Sequence, residues 1–265
     1  VKKLLICKGM YMLRVKSLNK SYKDKKVLTN MSLDFMPGES TVIAGESGSG
    51  KTTLAKIITG MEKQDSGFVI FNNHSLPPLR KRDFCTCAKI QYIFQDPYSA
   101  LERNCTLLDT LNETMSICRR NKYEYLPIEE SLAWVDENML DFLNKKIDTL
   151  SGGQRQKLCI ARALITKPEI IIADECTSML DNESSTEIYE LLNKIKIEKN
   201  IILISIMHEV DFHSPHWNKI AVIKSGQLVE YKEFKYFYEN AENEYSKQLI
   251  EAYNFFKYES GDNNE

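Results

Sequence analysis

Residues 40–61 read STVIAGESGSGKTTLAKIITGM. A β-branched run ends in glycine, a loop rich in Gly and Ser follows, and KTTLAKIITGM then reads as a helix. Within the stretch Gly45, Gly50, Lys51 and Thr52 satisfy GxxxxGK[ST], and strand, glycine-rich loop, helix is the context in which that pattern binds phosphate. Glycines let backbone N–H groups converge on phosphate oxygens, and the helix N-terminus adds partial positive charge. The predicted cradle is therefore Gly45, Glu46, Ser47, Gly48, Ser49 and Gly50, continued into Thr53. Lys51 meets the β- and γ-phosphates, and the Thr52 hydroxyl is placed to ligate Mg²⁺.

A Mg²⁺-nucleotide site needs a second oxygen anchor, usually from the end of a neighbouring buried strand. EIIIADE at 169–175 supplies one: the apolar run Ile170 to Ala173 delivers Asp174 and Glu175 to the edge of the sheet, where ligands bind. Asp174 would hold Mg²⁺ through its water shell, and Glu175 would polarise the attacking water. A second Gly-rich turn lies in DTLSGGQRQKLCIARAL at 148–164, feeding an amphipathic helix, which is the shape of an anion-binding helix start. Two phosphate-facing turns in one chain pose a question that spacing alone does not answer.

Further out, 12–35 alternates apolar and polar residues around a polar turn at Lys23 to Lys26, and reads as short antiparallel strands. GFVIFNN adds another strand. From about Arg80 to Thr149 strand signals are few, while NETMSICRR and EESLAWVDENMLDFLNKK read as helices, which predicts a helical subdomain inserted over 80–155. Beyond it helix and strand alternate, predicting a largely parallel, covered sheet. The expected organisation is one α/β domain over 1–265 with a polar tail at 259–265.

Composition sets outer limits. The chain has 265 residues, 43% hydrophobic and 27% charged, ordinary for a globular protein whose core needs no staples. A net charge of −2 gives no global attraction to nucleic acid or an anionic membrane, so partners are recognised locally and nucleic acid is not among them. The seven cysteines lack the paired spacing of a zinc site or disulfide framework and read as reduced thiols. VKKLLICKGMYML superficially resembles a signal peptide, but Lys8 and Gly9 break its apolar run, and no stretch reaches the roughly 18 apolar residues of a membrane span. HEVDFH at 208–213 is one residue too long for a zinc-binding HExxH helix.

Taken together, these motifs resemble the nucleotide-binding subunits of ABC transporters, a P-loop ATPase fold. LSGGQ at 150–154 is similar to that family's signature sequence, Gln95 in IFQDP to its Q-loop, SMLD at 178–181 to its D-loop, and His208 to its switch histidine. Tyr22 stands where the family places an aromatic against adenine. The resemblance implies ATP and Mg²⁺ as cofactors, Thr52, Gln95 and Asp174 around the metal, and Lys51, Gln95, Glu175 and His208 in catalysis. It also answers the question of the second turn: two such subunits pack head to tail, so Ser151, Gly152, Gly153 and Gln154 face a partner's ATP.

IFQDPYSAL at 93–101 and NEYSKQLIEA at 243–252 resemble the oligopeptide, dipeptide and nickel uptake branch. That implies a peripheral subunit at the cytoplasmic face of the cell membrane, two permease partners, a second identical or related ATPase, and indirect service to an extracellular solute-binding protein. Exporter or lipid-handling ATPases, and soluble ATPases not coupled to transport, are the alternative readings. Phe94, Tyr98 and Tyr92 cluster near Gln95 and line a permease groove or belong to the core. Cys176, Met179 and Glu209 depart from the family's usual residues, as do Arg103 and Asn104, without removing a group that contacts phosphate or metal.

Overall fold

The computed structural model describes residues 12–259 apart from 208, 209 and 213. It opens with an antiparallel sheet. Strands β1 (Leu13–Tyr22) and β2 (Lys25–Phe35) pair from Leu13 opposite Phe35 to Tyr22 opposite Lys25. The turn is shorter than the sequence suggested, because Lys25 and Lys26 belong to an exposed strand end whose charges read as a loop. After β3 (Ser40–Ala44) and α1 (Lys51–Thr59), β4 (Ser66–Phe71) and β5 (His74–Ser75) complete this sheet in the order β2-β1-β4-β5.

The segment next in sequence contains α2 (Phe84–Lys89), β6 (Ile90–Ile93), α3 (Pro97–Ala100), α4 (Leu107–Arg120), α5 (Ile128–Val135) and α6 (Gly152–Ile165). Two sequence expectations change here. First, β6 lies inside the stretch read as helical and pairs in parallel with β7 (Ile170–Asp174), so part of 80–155 belongs to the main sheet. A four-residue strand carries too little alternation to be seen in sequence. Second, EESLAWVDENMLDFLNKK is not one helix. Asp136 is extended, and its carboxylate accepts from Asn138 N–H at 3.0 Å and from Lys157 Nζ of α6 at 3.1 Å. A local cap on Asn138 and a tertiary ion pair to Lys157 thus meet at the residue where α5 ends.

The remainder is α7 (Asn182–Lys199), β8 (Ile202–Ile206), β9 (Lys219–Lys224), β10 (Gln227–Glu233), α8 (Phe234–Asn240) and α9 (Glu244–Glu259). The large sheet has the order β10-β9-β3-β8-β7-β6, all parallel except the β9–β10 hairpin. Both faces are covered at the centre of the sheet, so β3, β7 and β8 are buried along their whole length, while the edge strand β10 (QLVEYKE) carries charges. Ile43, Ile170, Ile172, Ile204 and Ile223 pack with α1 and the antiparallel sheet, while Val42, Ile171, Ala173, Leu203 and Val222 pack with the helical side. The parallel registers set Ile43 opposite Ile206, Asp174 opposite Ile206 and Ile93 opposite Ala173, so the strands end together and the segments after β3 and β7 open on one crevice. Among the described residues no helix is long and apolar enough to cross a membrane, and the described cysteines are free thiols.

Candidate functional site

The loop after β3 is built from backbone conformations that side chains oppose. Gly50, with φ +108°, caps α1, and a Cβ there would sit 2.7 Å from the Val27 carbonyl; at Gly45 a Cβ would meet the Ile223 carbonyl at 2.1 Å. These clashes, not loop composition, require glycine. The loop closes on itself through Lys51, whose Nζ donates to the Gly45 and Glu46 carbonyls at 2.6 and 2.9 Å. Burial pulls the Lys51 ammonium below the ordinary lysine value, and the carboxylates of Glu175, Asp174 and Glu46 oppose that shift.

Beside the loop, Thr52 Oγ1 donates to Asp174 Oδ1 at 3.3 Å across 122 positions of sequence. Glu175 follows with φ +49°, a left-handed conformation uncommon for a side-chain-bearing residue, and its N–H donates to the Ile206 carbonyl at 3.0 Å. Strain of this kind clusters at functional positions. A cleft of about 380 Å³ is lined by Ser47, Gly48, Gly50 to Thr53, Glu175 and Tyr22, a size within the ~300–1,000 Å³ of small-molecule sites. Lys25 and Val27 also line it; sequence reading missed both because only the hairpin brings them there.

Tyr22 is held from one side. Lys20 Nζ lies 4.7 Å from its ring centroid and pairs with Glu62 at 2.7 Å, and Tyr22 itself lines the cleft.

The pocket suits a nucleoside triphosphate by observations of its own. Ser49 Oγ is buried in the loop without a hydrogen-bond partner, and a Cβ on Gly48 would meet nothing within 4 Å, so the loop keeps open space at Gly48. Thr52 and Asp174 offer adjacent oxygens of the kind Mg²⁺ takes together with water.

Other predicted residues fall elsewhere. Gln95 Nε2 donates to Ser178 Oγ at 3.3 Å, in the turn following Glu175. His208 lies outside the described residues. Ser151 caps α6 reciprocally with Gln154: its Oγ accepts the Gln154 N–H at 3.2 Å, and Gln154 Oε1 accepts the Ser151 N–H at 2.9 Å. A Cβ on Gly152 would touch Leu180 at 3.1 Å and one on Gly153 would come 3.5 Å from Ser184, so this turn packs on the segment leading into α7. None of its residues lines the cleft at Lys51.

Two tyrosines enter the site that sequence reading placed differently. Tyr92 donates its hydroxyl to Asp174 Oδ2, and Tyr245 of α9 accepts the Glu46 N–H at 2.8 Å. Neither pattern had a local signal, because each depends on which strand or helix is adjacent.

Fold and site together define a P-loop nucleotide-binding cassette. The family model described as ABC transporter matches residues 28–178. The chain belongs to the ABC transporter family and carries its ATPase cassette. It is 32% identical over 247 residues to the glutathione import ATP-binding protein GsiA of Escherichia coli O157:H7, covering 91% of this chain and 39% of the relative. GsiA of Escherichia coli strain K12 is 31% identical over the same length. The chain thus spans about two fifths of the length of the curated relatives it matches, 39%. Among solved structures, the ADP conformation of MJ1267, an ATP-binding cassette of an ABC transporter, matches with TM-score 0.75 and 25% identity, over 92% of this chain and 99% of that one. cbiO1 from Clostridium perfringens, part of the complex cbiONQ, matches with TM-score 0.74 and 26% identity, over 96% and 98%. The cassette MJ0796, in a dimeric post-hydrolysis state bound to ADP and Pi, matches with TM-score 0.69 and 28% identity, over 84% and 98%.

Proposed function

We propose that the chain is the ATP-hydrolysing subunit of an importer for a peptide, nickel or metal-chelate solute. It works at the cytoplasmic face of the cell membrane against two permease subunits, and pairs head to tail with a second ATPase chain, identical or related. An extracellular solute-binding protein delivers the solute. The observation that carries this reading is a cleft that gathers Tyr22, Lys51, Thr52 and Glu175 with Asp174 beside them, yet receives nothing from the Ser151–Gln154 turn. That is half of a composite site. The similarity to glutathione import proteins supports a small peptide-like solute.

The chemistry follows from the geometry. Adenine stacks on Tyr22, and the phosphates take the loop N–H groups and the Ser49 hydroxyl. Lys51 exchanges two carbonyl partners for phosphate oxygens, so the loop's neutral contacts give way to charge-assisted ones. Mg²⁺ held by Thr52 and Asp174, with Gln95 as a further ligand, would neutralise phosphate charge. Glu175 orients and polarises the attacking water, and His208 is a further catalytic residue. The partner's Ser151, Gly152, Gly153 and Gln154 cap that phosphate, so closure is favoured by ATP and lost on hydrolysis. Gln95 and the exposed Phe94 and Tyr98 pass closure to the permease.

Ser151→Arg tests the arrangement. In a reconstituted transporter with two distinguishable ATPase subunits, this change combined with loss of the partner's P-loop lysine damages one composite site twice, and the losses should be far from additive. Combined with Lys51→Ala in the same chain it damages two sites. If the same-chain pair behaved as a single lesion, the turn would serve its own loop.

A further inference from the structure

Tyr92 is the third residue of β6, a strand that lies at the edge of the large sheet directly beside β7. It stands opposite Ile172 in register, two positions before Asp174. From there its side chain reaches along the strand ends to Asp174, donating its hydroxyl to Oδ2, while Thr52 Oγ1 donates to Oδ1 at 3.3 Å. The ring is set edge-on against Phe94, with centroids 4.7 Å apart and planes at 62°. The two oxygens of Asp174 are thus held by different donors from different elements, and the plane of the carboxylate is fixed before any ligand arrives.

A carboxylate at the end of a strand turns about its terminal torsion, which is broad and two-fold. One free to rotate offers a metal site either oxygen, or both together. Mg²⁺ demands near-octahedral geometry and keeps several waters, so it gains from a single oxygen in a fixed place. A phenol is suited to that task because its position is set by ring packing and its hydroxyl takes up one side of the carboxylate without bringing another charge.

We propose that Tyr92 is a positioning residue for the metal subsite: by holding Asp174 Oδ2 it directs Oδ1 toward Thr52 and presets that pair for a hydrated Mg²⁺. This rests on the Mg²⁺-nucleotide reading of the cleft. Tyr92 does not touch nucleotide, and its effect passes through Asp174.

The test separates metal-dependent from metal-independent binding. A fluorescent ATP analogue is titrated into the full chain in EDTA and again in excess Mg²⁺, and the ratio of the two affinities is the Mg²⁺ gain. Tyr92→Phe should bind as wild type does in EDTA and lose about tenfold of the gain, the scale of one hydrogen bond to a charged group. Tyr92→Met, which also lacks the hydroxyl but packs differently, should lose a similar amount and keeps the test open if the phenylalanine variant folds poorly. In an Asp174→Asn background Tyr92→Phe should change the gain no further. An unchanged or larger gain in Tyr92→Phe and Tyr92→Met would overturn the proposal while leaving the nucleotide site intact. If Asp174→Asn itself left the gain unchanged, the metal reading would fall and the proposal with it.

Discussion

The phenol oxygen of Tyr245 accepts a hydrogen bond of 2.8 Å from the backbone N–H of Glu46, tying the last helix to the phosphate loop across 199 positions of sequence. The turn before that helix is itself anchored. Glu230 accepts from the N–H groups of Glu242 and Asn243 at 3.0 and 3.2 Å, and Asn243 Oδ1 accepts the Tyr245 N–H at 2.9 Å. The loop conformation is thus supported from outside the motif that defines it. Tyr245→Phe should weaken ATP binding by a few-fold with little change in kcat, because a neutral hydrogen bond contributes about 1 kcal/mol and this one is far from the reacting phosphate. Equilibrium titration alongside steady-state turnover checks it; a fall in kcat at unchanged affinity would give Tyr245 another role.

Acidification should loosen the anchor of that turn. Burial alone would raise the Glu230 carboxyl, but Lys232 and the N–H groups of Glu242 and Asn243 together hold it below its ordinary value. A carboxylate depressed in the folded state contributes stability that is present above the unfolded value, about 4.3, and is lost as pH falls through the folded one. Glu230→Gln should therefore destabilise α9 at pH 7, and its difference from wild type should shrink toward pH 3. Amide hydrogen exchange of α9 at pH 7, with denaturation curves at both pH values, measures this.

Glu175→Gln should leave ATP affinity near wild type and lower kcat by about 10²–10⁴-fold, the usual range for losing a positioned base. The amide keeps the shape and the cleft lining while losing basicity. Binding and phosphate release are measured separately; turnover near wild type would remove Glu175 from the role.

Lys51→Ala should lower both affinity and turnover, because the ammonium neutralises phosphate charge in ground and transition states alike. A loss of about tenfold or more in affinity follows from the ~1.5–3 kcal/mol of hydrogen bonds to charged groups. Titration with a labelled ATP analogue decides it, and unchanged affinity would assign binding to the backbone cradle and Ser49.

Tyr22→Ala should raise the ATP dissociation constant about 5- to 150-fold, by the ~1–3 kcal/mol of a stacked base, with kcat preserved. GTP should be affected to a similar degree, since stacking reads a π-face and not an edge. A strong preference for ATP in the wild type would point to a hydrogen-bond donor or acceptor at the base.

What the sequence by itself determined is the chemistry that neighbours in the chain can specify. Gly45 to Thr53, Asp174 with Glu175, and Ser151 to Gln154 are short runs whose backbone turns, helix starts and strand ends are set locally, so their residue types and spacing were readable. The covered parallel sheet was readable too, because continuous apolar runs such as Ile170 to Ala173 have no other place to go. Only the tertiary structure decided which partner each group meets. β6 was hidden because four residues carry no period, and at Asp136, where α5 ends, Lys157 arrives from another helix. Tyr92 on Asp174, Tyr245 on Glu46, and Lys25 with Val27 in the cleft are contacts between elements far apart in sequence. A hydrogen bond or packing contact depends on distance in space, and that distance is fixed by strand order and helix docking, which periodicity along a single chain does not encode.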